Sequence, residues 1–359
     1  MKVPFLNMQR EAEFLIRNGL TTGLESTIMS GQYLFGPRAR ELEEKLSEKF
    51  NAEVVLVGSG TDAITLSLLA YNIGPKDTVI VPAFTAIPTA IAVKMTGAQI
   101  KSVYITEAGF INEETIWGEG EISAIVPVHL YGNPMDITFL RSTCRHNNIV
   151  LIEDCAQAFG TRIGEGGQLA GTLGHTGAFS FYPTKNLGCF GDGGAIVTKD
   201  TSVAQKLREL RFYGQKNKSA MGNSVGMNSR MDELQCTILL KKLSLLATLE
   251  ERRLIIFRKY MTDLRPHTIR WISGNMPHLF PILVHNRYKF MRCMLNKGVE
   301  TSIHYPFTLP AAVEKSKQSF PVAEKFASQV VSIPFHPWLT DEEVDYIIEV
   351  TKMCLLEVE

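Results

Sequence analysis

From about residue 50 the chain alternates short continuous apolar runs with stretches whose apolar residues recur at helical spacing. Val54-Val55-Leu56-Val57 predicts a buried strand. Residues 61–73 follow with Ala63, Ile64, Leu66, Leu68 and Leu69 apolar and Gly74-Pro75 as a stop, which predicts a helix. Residues 78–81 predict the next strand and 88–95 the next helix. The runs at 102–104, 124–128 and 149–152 continue the strands, with 136–147 helical between the last two. Strands alternating with helices predict a mostly parallel sheet covered on both faces. Residues 177–182 and 195–199 read as two more strands around the glycine-rich loop 188–194. The period then changes. Met231, Leu234, Ile238, Leu245, Leu249 and Ile256 keep one helical face apolar, which predicts one long helix leading into a second domain. The predicted division is a large domain over 1–240 and a smaller C-terminal α/β domain over 241–359. Residues 340–356 predict a closing helix, with Thr340 and Glu343 as a capping box.

Composition narrows the class. With 359 residues, 45% of them hydrophobic and 21% charged, the chain has the make-up of an ordinary globular protein. Its 37 basic and 37 acidic residues cancel, which gives no argument for nucleic acid or a membrane surface as partner. No apolar run is long enough to span a bilayer, and residues 1–7 lack the pattern of a signal peptide, so a cytoplasmic location is expected. The six cysteines, Cys144, Cys155, Cys189, Cys236, Cys293 and Cys354, form no CxxC pair and are expected as free thiols. The eight histidines have no zinc-binding spacing, so no metal is expected.

Ligands of parallel α/β sheets bind beyond the carboxyl ends of the strands. Three groups collect there. Gly58-Ser59-Gly60-Thr61-Asp62-Ala63 opens a helix, and a glycine turn at a helix N-terminus suits phosphate. Glu153-Asp154-Cys155-Ala156-Gln157 follows the fifth strand, and Ser180-Phe181-Tyr182-Pro183-Thr184-Lys185-Asn186 the next. Pyridoxal 5'-phosphate needs these three: a lysine for its aldehyde, a carboxylate at its pyridine nitrogen, and donors for its phosphate. The glycine turn also fits a variant of the dinucleotide fingerprint, the mark of a nicotinamide-dependent oxidoreductase. That reading wants an acid at the end of the second strand, where Val81-Pro82-Ala83-Phe84 has none. His129 and Tyr131, at a strand end, read either as substrate contacts or as buried hydrogen-bonded side chains.

Several blocks then occur in order: Val3-Pro4-Phe5-Leu6-Asn7, the 58–63 turn, Val128-His129-Leu130-Tyr131-Gly132, Glu153 to Ala158, Ser180 to Asn186 and Gly191-Asp192-Gly193-Gly194. After them come Arg211-Phe212-Tyr213-Gly214, Asn228 to Gln235 and His304-Tyr305-Pro306. This series resembles the nucleotide-sugar aminotransferases of the DegT/DnrJ type across nearly the whole chain. The resemblance implies a fold-type I architecture, a mixed and mostly parallel seven-stranded sheet flanked by helices, and a homodimer with shared active sites. It makes Lys185 the Schiff-base lysine and Asp154 the partner of the pyridinium nitrogen. Gln157 would lie by the ring's hydroxyl, and Ser180, Gly60 and Thr61 on the phosphate. Asn228 would reach the phosphate of the neighbouring subunit, and Arg230, His304 and Tyr305 would lie near the sugar or its diphosphate. Ala86 stands where many relatives carry an aromatic residue stacked on the ring. The implied reaction moves an amino group from L-glutamate to a nucleotide-linked keto sugar. The Arg211–Gln235 stretch looks most like enzymes acting at C3 of a dTDP-3-keto-6-deoxyhexose, with C4 transfer as the alternative. Lys185 disfavours the dehydratase branch, which carries histidine there. Lys185 and Asp154 together disfavour a purely regulatory protein on this fold.

Overall fold

In the computed structural model every residue is described except 118–119, 165–166, 218–219, 223–224 and 359. Three helices precede the first strand: α1 (Met8–Arg17), α2 (Leu20–Ser30) and α3 (Pro37–Phe50). The apolar pattern had located none of them. The alternating region follows as β1 (Glu53–Val57), α4 (Gly60–Ala70), β2 (Thr78–Pro82), α5 (Ile87–Met95), β3 (Gln99–Val103), β4 (Ala124–Ile125), α6 (Thr138–His146) and β5 (Val150–Asp154). A small hairpin, β6 (Arg162–Ile163) and β7 (Gln168–Leu169), leads to β8 (Thr176–Ser180), β9 (Gly194–Thr198) and α7 (Thr201–Leu210). The fourth strand is shorter than expected. Past Ile125 the chain keeps a single bridge, Val128 with Asp154, before it turns away.

The seven-stranded sheet has the order β1-β9-β8-β5-β4-β2-β3. Only β9 runs against the rest: β8 and β1 both pair with it antiparallel, and every other pairing is parallel. Side chains alternate between two cores. Val54, Leu56, Ile80, Ile125, Leu151 and Phe179 enter a core with α3 and α6. Val55, Val57, Val79, Val81, Ile152 and Ala178 enter another with α4, α5 and α7. Strands buried on both faces must be apolar throughout, which is why their runs were continuous in the sequence.

A further hairpin, β10 (Gln215–Asn217) with β11 (Ala220–Met221), precedes the helical stretch expected as one piece. It is two helices, α8 (Glu233–Ser244) and α9 (Leu246–Leu264), separated at Leu245, whose φ of −108° and ψ of 3° leave the helical range. The apolar positions continue across the break, so the pattern alone could not show it. The remainder is β12 (Phe280–Leu283), α10 (Arg287–Asn296), α11 (Pro321–Gln329), β13 (Val330–Ile333) and α12 (Asp341–Val358). These elements share a third core, in which Val3 packs with Ile256, Tyr260, Phe280, Phe290, Val331 and Ile347. The capping box forms: Thr340 N–H donates to Glu343 at 2.9 Å, and Glu343 N–H to the Thr340 hydroxyl at 3.2 Å.

The all-thiol expectation fails at one pair. Cys293 of α10 and Cys354 of α12 are disulfide-bonded with Cα atoms 5.7 Å apart. Sixty-one residues separate them in sequence, and only the side-by-side packing of the two helices brings them into bonding range. Cys144, Cys155, Cys189 and Cys236 are free and buried. Among the described residues no helix is long and apolar enough to cross a membrane.

Candidate active site

Lys185 stands in a tight turn after β8. Its N–H donates to the Tyr182 carbonyl at 2.9 Å, and Cys189 N–H closes the loop onto the Phe181 carbonyl at 2.8 Å. Gly188 permits this closure, because a Cβ there would lie 2.5 Å from the carbonyl oxygens of Tyr182 and Pro183. Burial pushes the Lys185 amine down from 10.5 to about 8, and the charge of Asp154 opposes part of that shift.

Asp154 ends β5 at the centre of the sheet. Its Oδ1 accepts from Ala156 N–H at 3.0 Å and its Oδ2 from the Thr89 hydroxyl at 2.8 Å. Burial raises its pKa, and the donors Ala156 and Thr89 and the charge of Lys185 resist the rise. The neighbouring Glu153 points the other way, as alternation along a strand requires. It accepts from Gly171, Leu173 and Gly174 N–H at 2.7–2.8 Å and pairs with His129 at 3.1 Å, which anchors the loop behind the sheet.

The third group is the first turn of α4. Ser59 caps it by accepting from Asp62 N–H at 3.0 Å. A Cβ on Gly60 would lie 2.7 Å from the Ser180 Cβ, so only glycine lets Ser180 approach this helix end. Thr61 shares that turn. Ser229, which the sequence gave no reason to single out, locks the arrangement: its hydroxyl accepts from Gly58 N–H at 2.8 Å and donates to Asp62 at 2.6 Å. Ala86, the residue before α5, is partly exposed and has no ring to offer a cofactor.

Gln157 joins two parts of the chain. Its Oε1 accepts from Tyr131 N–H at 2.6 Å, and its Nε2 donates to the Tyr305 hydroxyl at 2.7 Å. The Tyr131 hydroxyl donates to the His304 carbonyl, and His304 Nδ1 pairs with the Ser332 hydroxyl at 3.0 Å. Burial, then the charge of Lys185, lowers His304 to about 4. A cavity of about 260 Å³ opens among these groups. Of the residues expected at the site, Gln157, Lys185, His304 and Tyr305 line it; Phe5, Arg253, His278 and Phe335 line it as well.

Two pairs lie elsewhere. His129 and Tyr131 have no exposed surface, and His129 spends its nitrogens on Glu153 and on Met135 N–H. Tyr131 bonds to Gln157 and to the His304 carbonyl, so both side chains are buried and hydrogen-bonded in this chain. Asn228 is exposed and accepts from Arg230 Nε at 2.7 Å. The Arg230 guanidinium lies 5.6–5.9 Å from the ring centres of Phe35, Phe212 and Tyr213, and neither residue lines the Lys185 cavity of its own chain.

A lysine eased toward its neutral form, a carboxylate supplied with donors, and a glycine-built helix end that a Cβ would block together fit pyridoxal phosphate. The comparison with known proteins agrees. Residues 16–352 match the model of the DegT/DnrJ/EryC1/StrS aminotransferase family. The chain belongs to that family. It is a pyridoxal-phosphate-dependent aminotransferase.

Members of the DegT/DnrJ/EryC1/StrS family resemble the chain end to end. The erythromycin biosynthesis sensory transduction protein EryC1 of Saccharopolyspora erythraea is 39% identical, over 98% of this chain and 99% of its own. The dTDP-3-amino-3,4,6-trideoxy-alpha-D-glucose transaminase of Streptomyces venezuelae is 35% identical, over 98% and 96%. The crystal structure of S. venezuelae DesV in complex with a ketimine intermediate superposes with a TM-score of 0.93 at 34% identity, covering 98% of both chains.

Proposed function

We propose that this aminotransferase moves the amino group of L-glutamate to a nucleotide-linked keto sugar, at C3 of a dTDP-3-keto-6-deoxyhexose. The observation that carries the chemistry is Lys185, which lines the cavity with its amine eased toward neutrality, together with the buried Asp154 carboxylate whose charge acts on it. The 35% identity to a dTDP-3-amino sugar transaminase supports the choice of nucleotide and position.

Bound pyridoxal phosphate supplies an aldehyde for the amine and a ring that takes up the electron pair released at the reacting carbon. Asp154 would hold the ring nitrogen protonated, and Ala156 and Thr89 donate to its carboxylate and favour its charged form. Ser180, Gly60 and Thr61 would hold the phosphate at the α4 N-terminus. Gln157 and Ala86 would lie beside the ring. Lys185 Nζ would take up the proton lost by the donor carbon and pass it on within the first half-reaction, and would deliver a proton to the sugar carbon in the second. His304 and Tyr305 face the sugar.

The working unit in this reading is a homodimer. Asn228 and Arg230 lie near the surface, and the Arg230 guanidinium sits against Phe35 and Tyr213, which are 40% and 45% exposed, unusual for aromatic side chains grouped together. A second copy placed on this patch receives Asn228 at its phosphate and Arg230 near its substrate.

The test is an assay of the purified protein with glutamate and a panel of 3-keto and 4-keto sugars carried on dTDP and UDP. The expected result is a kcat/KM for the 3-keto dTDP sugar at least ~10-fold above the others. Preference for a 4-keto sugar would reassign the position, and no amination of any sugar would overturn the reading.

A further inference from the structure

Helix α9 buries one stripe, formed by Leu246, Leu249, Arg253, Ile256, Tyr260 and Leu264. This three-and-four spacing is that of an apolar helix face, and Arg253 is the one charged residue on it. The adjacent Arg252 lies on the outer face and is fully engaged, with Asp341 at 2.8 Å and the Leu339 carbonyl at 2.6 Å. Arg253 is 6% exposed, its Nη1 is buried without a hydrogen bond, and among the described residues it forms no ion pair. Glu11 and Glu250 are near enough to act on its charge. Glu11, however, is committed to Lys242, and burial moves Glu250 toward its neutral form. The Arg253 guanidinium carbon lies 5.9 Å from the centre of the Phe335 ring, a contact that satisfies none of its N–H groups. A buried guanidinium with no carboxylate in hydrogen-bond contact is costly to keep, and its planar fork is shaped for one.

Arg253 faces the same cavity as Lys185. His278 lines it too, with Nδ1 buried and unpartnered. Burial, then the charges of Lys185 and Arg253, hold His278 well below its usual pKa, and all three residues line the one cavity. Among the described residues no aspartate or glutamate lines this cavity. At about 260 Å³ it has room for an amino acid.

We propose that Arg253 binds a carboxylate of the amino-acid donor, with His278 as a second contact, and so directs the donor's amino group toward Lys185. The assignment rests on the donor half of the proposed function and adds the residue that selects an acid over a simple amine.

The two half-reactions of the holoenzyme separate this from the sugar site. Each is followed through the cofactor's absorbance: glutamate added to the resting enzyme, then keto-sugar nucleotide added to the aminated form. For Arg253→Gln, the apparent dissociation constant for glutamate should rise on the order of 10- to 100-fold, with a far smaller change for the sugar. Arg253→Lys should recover part of the loss, which a merely structural residue would not do selectively. A loss falling mainly on the sugar nucleotide would mean that Arg253 holds a diphosphate, and equal losses or none would also overturn the proposal. Should both variants misfold, the wild-type enzyme still decides. Glutarate should compete with glutamate at least ~10-fold better than its uncharged diamide, and equal competition refutes a carboxylate site. If the wild-type enzyme responds to no amino acid, the donor reading itself falls, and the proposal with it.

Discussion

The Thr89 hydroxyl donates to Asp154 Oδ2 at 2.8 Å, tying the first turn of α5 to the end of β5. Asp154 is buried, and burial favours its neutral form. Thr89 and the Ala156 N–H are the donors that oppose that tendency. A side chain 65 residues away thus sets the charge on which the proposed role of Asp154 depends.

Thr89→Val removes one donor to the carboxylate while keeping the shape of the side chain. The Asp154 pKa should rise, so the acid limb of the kcat/KM profile should move to higher pH. Activity at neutral pH should fall about 10-fold, the worth of one hydrogen bond to a charged group. Thr89→Ser should restore most of it. An unmoved acid limb would show that Thr89 serves packing alone.

Lys185 offers a direct pH test on protein stripped of its cofactor. With its pKa lowered from 10.5 to about 8, the amine is protonated and unreactive well below pH 8 and free above it. Labelling of Lys185 by an amine-selective reagent, read by peptide mass spectrometry, should reach half its maximum near pH 8. A short unstructured lysine peptide in the same mixture serves as the comparison and should reach it near the ordinary lysine value of about 10.4. Coincident titration of Lys185 and that peptide would contradict the lowered amine. Lys185→Ala should abolish amino transfer altogether.

The Cys293–Cys354 bond closes a loop of some sixty residues within the C-terminal core. Cys354→Ser should cost about 2–4 kcal/mol of stability, chiefly by freeing the unfolded chain. Urea unfolding with and without reductant checks this. Reductant should weaken the wild-type protein and leave Cys354→Ser unchanged. Cofactor binding at 25 °C should survive, because α10 and α12 do not line the Lys185 cavity.

A shared site predicts complementation between two inactive proteins. Lys185→Ala lacks the amine; an Asn228→Ala, Arg230→Ala double variant lacks the groups proposed to reach the partner. Refolded together, some mixed dimers carry both lesions in one site and leave the other whole. Activity should return to about half the wild-type rate per mixed dimer. Each variant refolded alone should stay inactive. Mixed dimers that form without activity would place both sets of residues in the same site and leave the Lys185 chemistry untouched.

What the sequence determined by itself was whatever depends on local pattern. Strands buried on both faces had to be continuous apolar runs, so the alternating part of the fold could be read directly. Lys185, Asp154 and the Gly60 turn were legible because each follows a strand, and strands of one sheet end on one side. Tertiary structure decided the matters of distance and burial. It showed His129 and Tyr131 to be fully buried, since a strand-end position does not say which way a side chain faces. Packing joined two cysteines 61 residues apart and broke one expected helix at Leu245, where the apolar spacing continued unchanged. It also brought Thr89 to Asp154, Ser229 to Gly58 and Arg253 to the Lys185 cavity. In sequence a threonine, a serine and an arginine are ordinary residues. They gain a role only where the fold removes water and leaves a single partner, or none, within reach of their polar atoms.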